Sequence, residues 1–376
     1  MRLVTPAKSG WQTANVAVTG VNARPENPGP GLAVARCIAE HPEFRGNIIG
    51  FGYDVLDAGL YTRQFCSSSY LLPYPSSGED ELLARILQIH NSVGLDVIIP
   101  CLDAEIPNFN RIKQDLEDAG IKMLIPSSHQ YNLRAKDHLS KFCESIGVSV
   151  PKSKIISSPS FFDSCQSEGW SFPLVVKGIF YDAGVAHTIA EAKSIFARLA
   201  ASWGYPVLVQ SLVKGVEFNL SAVGDSQGNL LGPVLMRKKA ITDKGKAWSG
   251  VTVVDDGIGE VADKIAQALM WTGPLEVEVM KADDGTIYLI EINPRFPSWI
   301  YLSHAAGRNL PVAVLKILNG EKNIAFPPPK TGTFFIRYAQ EQIVELKDFE
   351  SMLVSGSLEP VAAEDCPNKL LSCDIA

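Results

Sequence analysis

The sequence predicts a two-part α/β protein in which a Rossmann-like half precedes a two-lobed α+β half. Over residues 1–126, short apolar segments alternate with amphipathic ones, a pattern typical of a parallel sheet covered by helices on both faces. From residue 127 the chain changes to one long amphipathic segment followed by strands joined by short turns, which indicates antiparallel pairing. A chain of 376 residues is also long enough for about two or three domains.

The first half is predicted to alternate strictly between strands and helices. Each predicted strand is a short apolar run, and each predicted helix has apolar residues on one face. The turn after the first strand lacks the GxGxxG spacing that brings backbone against a pyrophosphate, so we interpret it as a loop capped into a helix. The predicted strands are 14–20, 47–54, 95–103 and 121–127, and the predicted helices are 31–42, 79–94 and 106–120.

The second half is predicted to open with one helix over 127–147, with Ser127 or Ser128 as N-cap and Gly147 at its end. A hairpin is predicted about the turn at 283–285. Three prolines at 327–329 favour an extended linker, so we predict domains at 1–126 and 127–325 and a small addition over 326–376. The other predicted strands are 152–157, 172–179, 206–213, 217–225, 230–239, 275–282 and 286–295, and the other helices are 158–169, 191–204, 259–273 and 310–320.

Composition and charge exclude several classes of protein. A formal charge of −7 disfavours a surface that binds nucleic acid. No apolar run approaches the roughly 18 residues of a membrane span, and the first residues lack the apolar core of a signal peptide. The seven cysteines are scattered without a CxxC pair, which is typical of reduced thiols. We therefore expect a cytoplasmic protein that binds neither nucleic acid nor membrane.

The most informative stretch is TIYLIEINPRF, residues 286–296, where an apolar strand ends in Glu291, Asn293 and Arg295. Side chains two apart on a strand share a face, so these three point into the same space. Glu278, on the other strand of the predicted hairpin, can face the same side. Carboxylate and amide oxygens suit Mg²⁺, and an arginine beside them suits a phosphate oxygen. An exposed strand end with ordinary polar residues is the alternative.

Other charged residues are ambiguous when taken singly. Lys177 ends the apolar strand PLVV, where a charge needs a partner or a ligand, although a lysine that reaches out to solvent also fits. Lys136 and Glu217 by themselves are typical of solvated positions. The basic stretch 236–250 either covers a ligand or forms a solvated loop. Its first basic residues are Arg237, Lys238 and Lys239.

Order and context are more specific than any single residue. The informative segments are RAKDHLSKFCESIGVSVPKS, FPLVVKG, VLVQSLVKGVEFNL, GPLEVEVMKADDG, YLIEINPR and HAAGRNLPVAVLKILNG. Together they resemble the ATP-grasp superfamily, and look most like the synthetase half-units of the large subunit of carbamoyl phosphate synthase. The resemblance covers residues 120–320, and residues 1–119 match as the pre-ATP-grasp domain expected before them.

The resemblance implies ATP and two Mg²⁺ ions, with Mn²⁺ as a second candidate ion. Lys136 and Lys177 would contact the phosphates of ATP. A hinge would meet the adenine, with one of its side chains packed on the ring, and Glu217 would take the ribose hydroxyls. The hinge residues would be Gln210, Ser211 and Leu212, of which Leu212 packs on the ring.

The same resemblance implies where the chemistry would occur. Glu278, Glu291 and Asn293 would hold the two metal ions between the β- and γ-phosphates. Arg295 would stabilise the transferred phosphoryl group or the acyl phosphate. Lys238 and Lys239, from the basic stretch, would take over part of the covering of the phosphates.

Two segments depart from the family pattern. The lid after the second lysine, KGIFYDAGVAHT, is short and has only Gly178 and Gly184, which puts closure over the triphosphate in doubt. His187, just beyond this lid, either meets a ligand or has an ordinary polar role. The segment RFPSWIYLSHAAG places bulky aromatic residues beside Arg295, which predicts an aromatic acceptor pocket, with a core role for Trp299 as the alternative. The aromatic residues are Phe296, Trp299 and Tyr301.

The resemblance implies an ATP-dependent carboxylate–amine ligase that works through an acyl phosphate, with an amino acid or a peptide as acceptor. A nucleotide-binding regulatory or scaffold protein without turnover and a carboxylase-like enzyme are the alternatives. The expected partners are small carboxylate and amine substrates, and a homodimer is left open.

Overall fold

The computed structural model describes residues 10–133, 136–178 and 182–360. Short 3₁₀ turns aside, its helices are α1 Gly31–Ala39, α2 Glu79–Val93, α3 Ile106–Arg111, α4 Lys113–Asp118, α5 Ser128–Leu133, α6 Lys136–Ser145, α7 Phe161–Ser164, α8 Ile189–Trp203, α9 Asp256–Leu269, α10 Tyr301–Ala305, α11 Leu310–Leu318 and α12 Leu346–Ser355. Its strands are β1 Asn15–Val18, β2 Asn47–Gly52, β3 Ser68–Leu71, β4 Val97–Ile99, β5 Ser153–Ile156, β6 Leu174–Gly178, β7 Ala183–Ala186, β8 Val207–Ser211, β9 Gly215–Asp225, β10 Leu230–Ile241, β11 Ala247–Val253, β12 Thr272–Ala282, β13 Ile287–Asn293, β14 Phe334–Ile336 and β15 Ser357–Leu358.

The first half is built on a sheet in the order β15-β3-β2-β1-β4, in which β1 to β4 run parallel. Both faces of this sheet are covered, as the apolar runs predicted. Val16 and Val18 belong to the core on one face, whereas Ala17, between them, belongs to the core on the other. Successive side chains of a strand point to opposite faces, so a strand buried on both sides must be apolar throughout.

Helix α2 shows why the predicted helices form where they do. Its first turn is acidic, with Glu79, Asp80 and Glu81, which favours the positive end of the helix dipole. Leu82, Ile86 and Ile89 lie on one face and are buried, and the helix ends at Gly94, whose φ of +66° suits glycine.

Three predictions for this half need correction. The strand predicted at 121–127 forms only an isolated bridge between Val97 and Lys122. The helix predicted at 106–120 is two helices, because Ile112 between them has non-helical backbone. Strand β3 was not predicted, since its sequence SSYL is short and polar at its start.

The second half contains a small lobe and a large one. The small lobe is an antiparallel sheet in the order β5-β8-β6-β7, which packs against α8 through Val176, Val209 and Phe196. The hydroxyl of Thr188 caps α8 by accepting from the N–H of Glu191, 3.2 Å away. The helix predicted at 127–147 is described as α5 and α6, with residues 134–135 outside the described part.

The large lobe is an antiparallel sheet in the order β13-β12-β9-β10-β11-β14. Helix α9 covers one face with an apolar side, and the strands turn alternate apolar residues such as Leu275, Val277 and Val279 toward it. The basic stretch at 236–250, for which a ligand cover and a solvated loop were the alternatives, forms part of the hairpin of β10 and β11. Its turn is closed by the N–H of Gly245, which donates to the carbonyl of Thr242.

The chain beyond residue 326 contacts both halves. Strand β14 extends the large sheet by pairing with β11, whereas β15 pairs with β3 of the first sheet. Met352 of α12 is buried against Val21 and Leu60 of the first half. The domain boundaries stay a prediction. Within the described residues, no helix is long and apolar enough to cross a membrane.

Candidate active site

The face of the large sheet that points away from α9 carries a row of carboxylates and amides. Glu278 of β12 lies opposite Glu291 of β13 on one side and opposite Asn219 of β9 on the other. Two residues earlier in β12, Glu276 lies opposite Asn293 of β13. Their apolar neighbours point to α9, so strict alternation turns these polar residues to the opposite face. The hairpin predicted from the sequence therefore brings Glu278, Glu291 and Asn293 together.

Glu276 is a buried carboxylate that the sequence analysis missed. Its Oε1 accepts hydrogen bonds from Asn219 Nδ2 and from Trp299 Nε1, both at 2.8 Å. Its Oε2 accepts from Asn293 Nδ2 at 3.0 Å and from Arg295 Nη1 at 3.3 Å. The segment LEVEV carried a signal for it, since Glu276 is two residues from Glu278 and shares its face.

Arg295 is buried between two carboxylates from different halves of the protein. Its Nε donates to Asp103 Oδ2 at 2.9 Å, and its Nη1 lies 3.3 Å from Glu276. Burial lowers the pKa of Arg295, but Asp103, Glu276 and Glu278 outweigh burial and raise it, so the guanidinium stays charged. Asp103 follows β4 at the carboxyl end of the parallel sheet, where doubly wound folds bind ligands. The sequence analysis did not single it out.

Lys238 lies between the carboxylates of Glu217 and Glu278. It forms an ion pair with Glu217, and its Nζ is 3.7 Å from Glu278 Oε2. Burial lowers the pKa of Lys238, but the two carboxylates raise it well above its usual value. Burial raises the pKa of Glu217 despite this ion pair. Lys239, predicted to act with Lys238, is exposed and lies at an irregularity in the pairing of β10 with β11.

Glu278 is a carboxylate whose pKa is affected by four nearby cations. Burial raises its pKa, but nearby cations outweigh burial and hold the pKa below its usual value. One of them, Lys246, directly precedes β11 and was missed in the sequence. The four cations, in order of effect, are Lys238, Lys246, Arg295 and Lys177. Because Lys177 ends the apolar part of β6, the structure brings the end of this strand within electrostatic reach of Glu278.

The predicted adenine hinge borders a cavity between the two lobes. Gln210 lines it and donates from Nε2 to Ser153 Oγ at 3.0 Å. Ser211 ends β8, and Leu212 follows it, half-buried. The volume of the cavity is about 20 Å³. It is lined by Leu139, Ser140, Val150, Ser153, Lys177, Leu208, Gln210, Leu289 and Ile290. The side chain of Lys136 lies outside the described part.

The aromatic acceptor pocket predicted beside Arg295 is wrong. Phe296 is fully buried in the core of the first half. Trp299 packs in an apolar cluster with Val234 and Met236, and its only polar atom donates to Glu276. Tyr301 faces α1, where its hydroxyl donates to Glu40 at 2.6 Å. Aromatic side chains at this position fill space between elements, which their sequence spacing alone could not reveal.

The short lid is a hairpin between β6 and β7, in which the N–H of Gly178 donates to the carbonyl of Asp182 at 3.0 Å. Residues 179–181 lie outside the described part. His187 is exposed, and its N–H donates to Glu191, which belongs to the start of α8. The backbone of His187 thus contributes to that helix start.

Comparisons with known proteins bear on this arrangement. Residues 205–341 match the family model described as ATP-grasp in the biosynthetic pathway with Ter operon. The arginine-specific large chain of mitochondrial carbamoyl phosphate synthase from Neurospora crassa is 24% identical over 265 residues, which cover 65% of this chain and 22% of that protein. The chain thus spans about a fifth of the length of this curated relative.

Solved structures share the fold at low identity. Biotin carboxylase from Campylobacter jejuni has a TM-score of 0.64 at 16% identity, covering 84% of this chain and 73% of that one. An L-amino acid ligase from Bacillus licheniformis has a TM-score of 0.59 at 16% identity, covering 82% of this chain and 74% of that one. The chain therefore has the ATP-grasp fold, as the sequence predicted. The family model and the curated relative are similarities of the same kind, since both are to ATP-grasp proteins.

Proposed function

We propose that this chain is an ATP-dependent carboxylate–amine ligase that forms an amide through an acyl phosphate. The observation that carries the proposal is the composition of one sheet face. Glu278, Glu291 and Asn293 lie together there, beside the cations Lys238 and Arg295. A nucleotide triphosphate needs both a set of oxygen ligands for its metal ions and fixed positive charges.

The donor set fits Mg²⁺. Two carboxylates and an amide are hard oxygen donors, and the lowered pKa keeps Glu278 anionic. Asn293 Nδ2 donates to Glu276 and to Glu278, both at 3.0 Å, which fixes the orientation of its amide. Bound Mg²⁺ would neutralise charge on the β- and γ-phosphates.

The residues of this chain would act by positioning and charge. Lys177 and Lys136 bind the phosphates, with the hinge 210–212 holding the adenine. The donor carboxylate attacks the γ-phosphorus and ADP leaves, while Arg295 and Lys238 stabilise the charge that develops on the phosphoryl oxygens. The amine then attacks the acyl carbon, loses a proton, and phosphate leaves. Glu217 must exchange its partner Lys238 for the ribose hydroxyls.

The test begins with binding and proceeds to turnover. MgATP or a non-hydrolysable analogue should raise the melting temperature, because the native state alone has the site. Phosphate release should then depend on a carboxylate and an amine, screened among pooled amino acids and dipeptides. Hydroxylamine in place of the amine should yield a hydroxamate from the acyl phosphate. Glu291→Gln is the control that ties turnover to this site. If the protein binds the nucleotide but releases no phosphate with any of the pooled amino acids and dipeptides, the result would support a nucleotide-binding regulatory or scaffold protein without turnover.

A carboxylase-like reaction is the second candidate, favoured by the biotin carboxylase neighbours, one of which was solved in complex with MgADP and bicarbonate. Bicarbonate would then take the place of the donor carboxylate at the γ-phosphate. The carboxylase-like reaction would be supported if ATP turnover requires bicarbonate and free biotin and does not change when amino acids are added.

A further inference from the structure

We propose that Glu276 is a positioning residue that holds the metal-ligand amide of Asn293 and the guanidinium of Arg295 in their working orientations. The inference rests on the proposed function. It starts from the fact that Glu276 is buried at the centre of the polar face, yet no step of the proposed reaction uses it.

The contacts of Glu276 come from four segments of the chain. Asn219 belongs to β9, Asn293 ends β13, Arg295 follows that strand, and Trp299 precedes α10. Each carboxylate oxygen accepts two of the four hydrogen bonds. A buried carboxylate with every acceptor direction used is held in one orientation, and it orients its donors in return.

The division between the two oxygens matters. Oε1 is held by Asn219 and Trp299, both buried and both outside the proposed chemistry. Oε2 faces the two residues that the proposed reaction requires, Asn293 and Arg295. Trp299 and Asn219 therefore fix the orientation of the carboxylate. The carboxylate in turn fixes the orientation of the side chains on Oε2. This explains why a tryptophan directs its N–H into the site from an otherwise apolar cluster.

Glutamine cannot replace glutamate here. The amide of glutamine has one acceptor oxygen and one NH₂ group, and the NH₂ group would face two hydrogen-bond donors. Depending on which way the amide is turned, either the donors on Oε1 or the donors on Oε2 lose their acceptor. The substitution would also remove one of the two carboxylates, Asp103 and Glu276, that form ion pairs with Arg295.

The test compares Glu276→Gln with Glu260→Gln, an exposed glutamate of α9 in the same lobe. Calorimetry measures the affinity for a non-hydrolysable ATP analogue with and without Mg²⁺, and phosphate release gives kcat and KM. We expect Glu276→Gln to lose the Mg²⁺-dependent gain in affinity and to lower kcat by roughly 100-fold or more, with metal-free affinity changed less than roughly twofold. Glu260→Gln should match the wild type.

If Glu276→Gln does not fold, Trp299→Phe keeps the apolar ring and removes one anchor. Its kcat should fall by roughly fivefold or more with KM for ATP unchanged. The inference is overturned, and the proposed function is not, if Glu276→Gln folds and keeps both its kcat and the Mg²⁺-dependent gain in affinity for the ATP analogue. A Trp299→Phe variant with wild-type kcat has the same consequence. Wild-type protein that does not bind MgATP overturns the proposed function, and the inference with it.

Discussion

Glu105 offers a test of the first half that needs no substrate. It lies buried on the turn after β4 and accepts hydrogen bonds from Thr19 Oγ1 at 2.6 Å, Tyr53 Oη at 2.5 Å and Leu102 N at 3.1 Å. Burial raises the pKa of Glu105 to about 7, although these hydrogen bonds act in the opposite direction. The same turn carries Asp103, the partner of Arg295, so its stability bears on the site.

The size of the effect follows from this pKa. Raising it from 4.5 to about 7 corresponds to about 3 kcal/mol, at about 1.36 kcal/mol per pKa unit. The folded protein holds this proton more tightly than the unfolded chain does. The contribution of Glu105 to the free energy of unfolding is therefore largest below about pH 4.5, and it is lost as the pH rises through about 7.

Glu105→Gln removes this titration and keeps the shape of the side chain. The melting temperature of the variant minus that of the wild type should increase by roughly 6–12 °C between about pH 5 and pH 8, at roughly 2–4 °C per kcal/mol. Differential scanning calorimetry at each pH measures it, with the exposed Glu43→Gln as control. A difference that stays constant over this range would refute the argument that burial protonates Glu105.

Three further outcomes follow from the site. Lys238→Met should raise KM for ATP by roughly tenfold or more, whereas substitution of the exposed neighbour, Lys239→Met, should change it less than roughly twofold. Glu291→Gln and Asn293→Ala should each abolish Mg²⁺-dependent phosphate release with unchanged circular dichroism, and a wild-type rate in either would contradict the metal site. Trp299→Ala should lower the free energy of unfolding by about 3–5 kcal/mol in denaturant titrations, as expected for a core tryptophan, and a selective rise in KM for the amine would instead restore the acceptor pocket.

Much of the candidate site could be predicted because it depends on local periodicity. Glu278, Glu291 and Asn293 lie on two strands joined by a short turn, so alternation and the turn position decide which side chains share a face. Local periodicity did not separate Lys238 from Lys239, because both lie in one predicted strand and the irregular pairing of β10 with β11 between Lys238 and Ala240 leaves no signal in the spacing.

By itself, the sequence predicted the ATP-grasp fold through its resemblance to that superfamily. It predicted the parallel sheet of the first half and the polar hairpin of the second through spacings within a few residues. Only the tertiary structure decided which partners these residues meet. Asp103 and Arg295 are 192 residues apart in sequence, and Trp299 reaches Glu276 from another segment. Such contacts depend on how the halves and lobes pack, and packing is set by the shapes of all the buried side chains together and not by any local pattern.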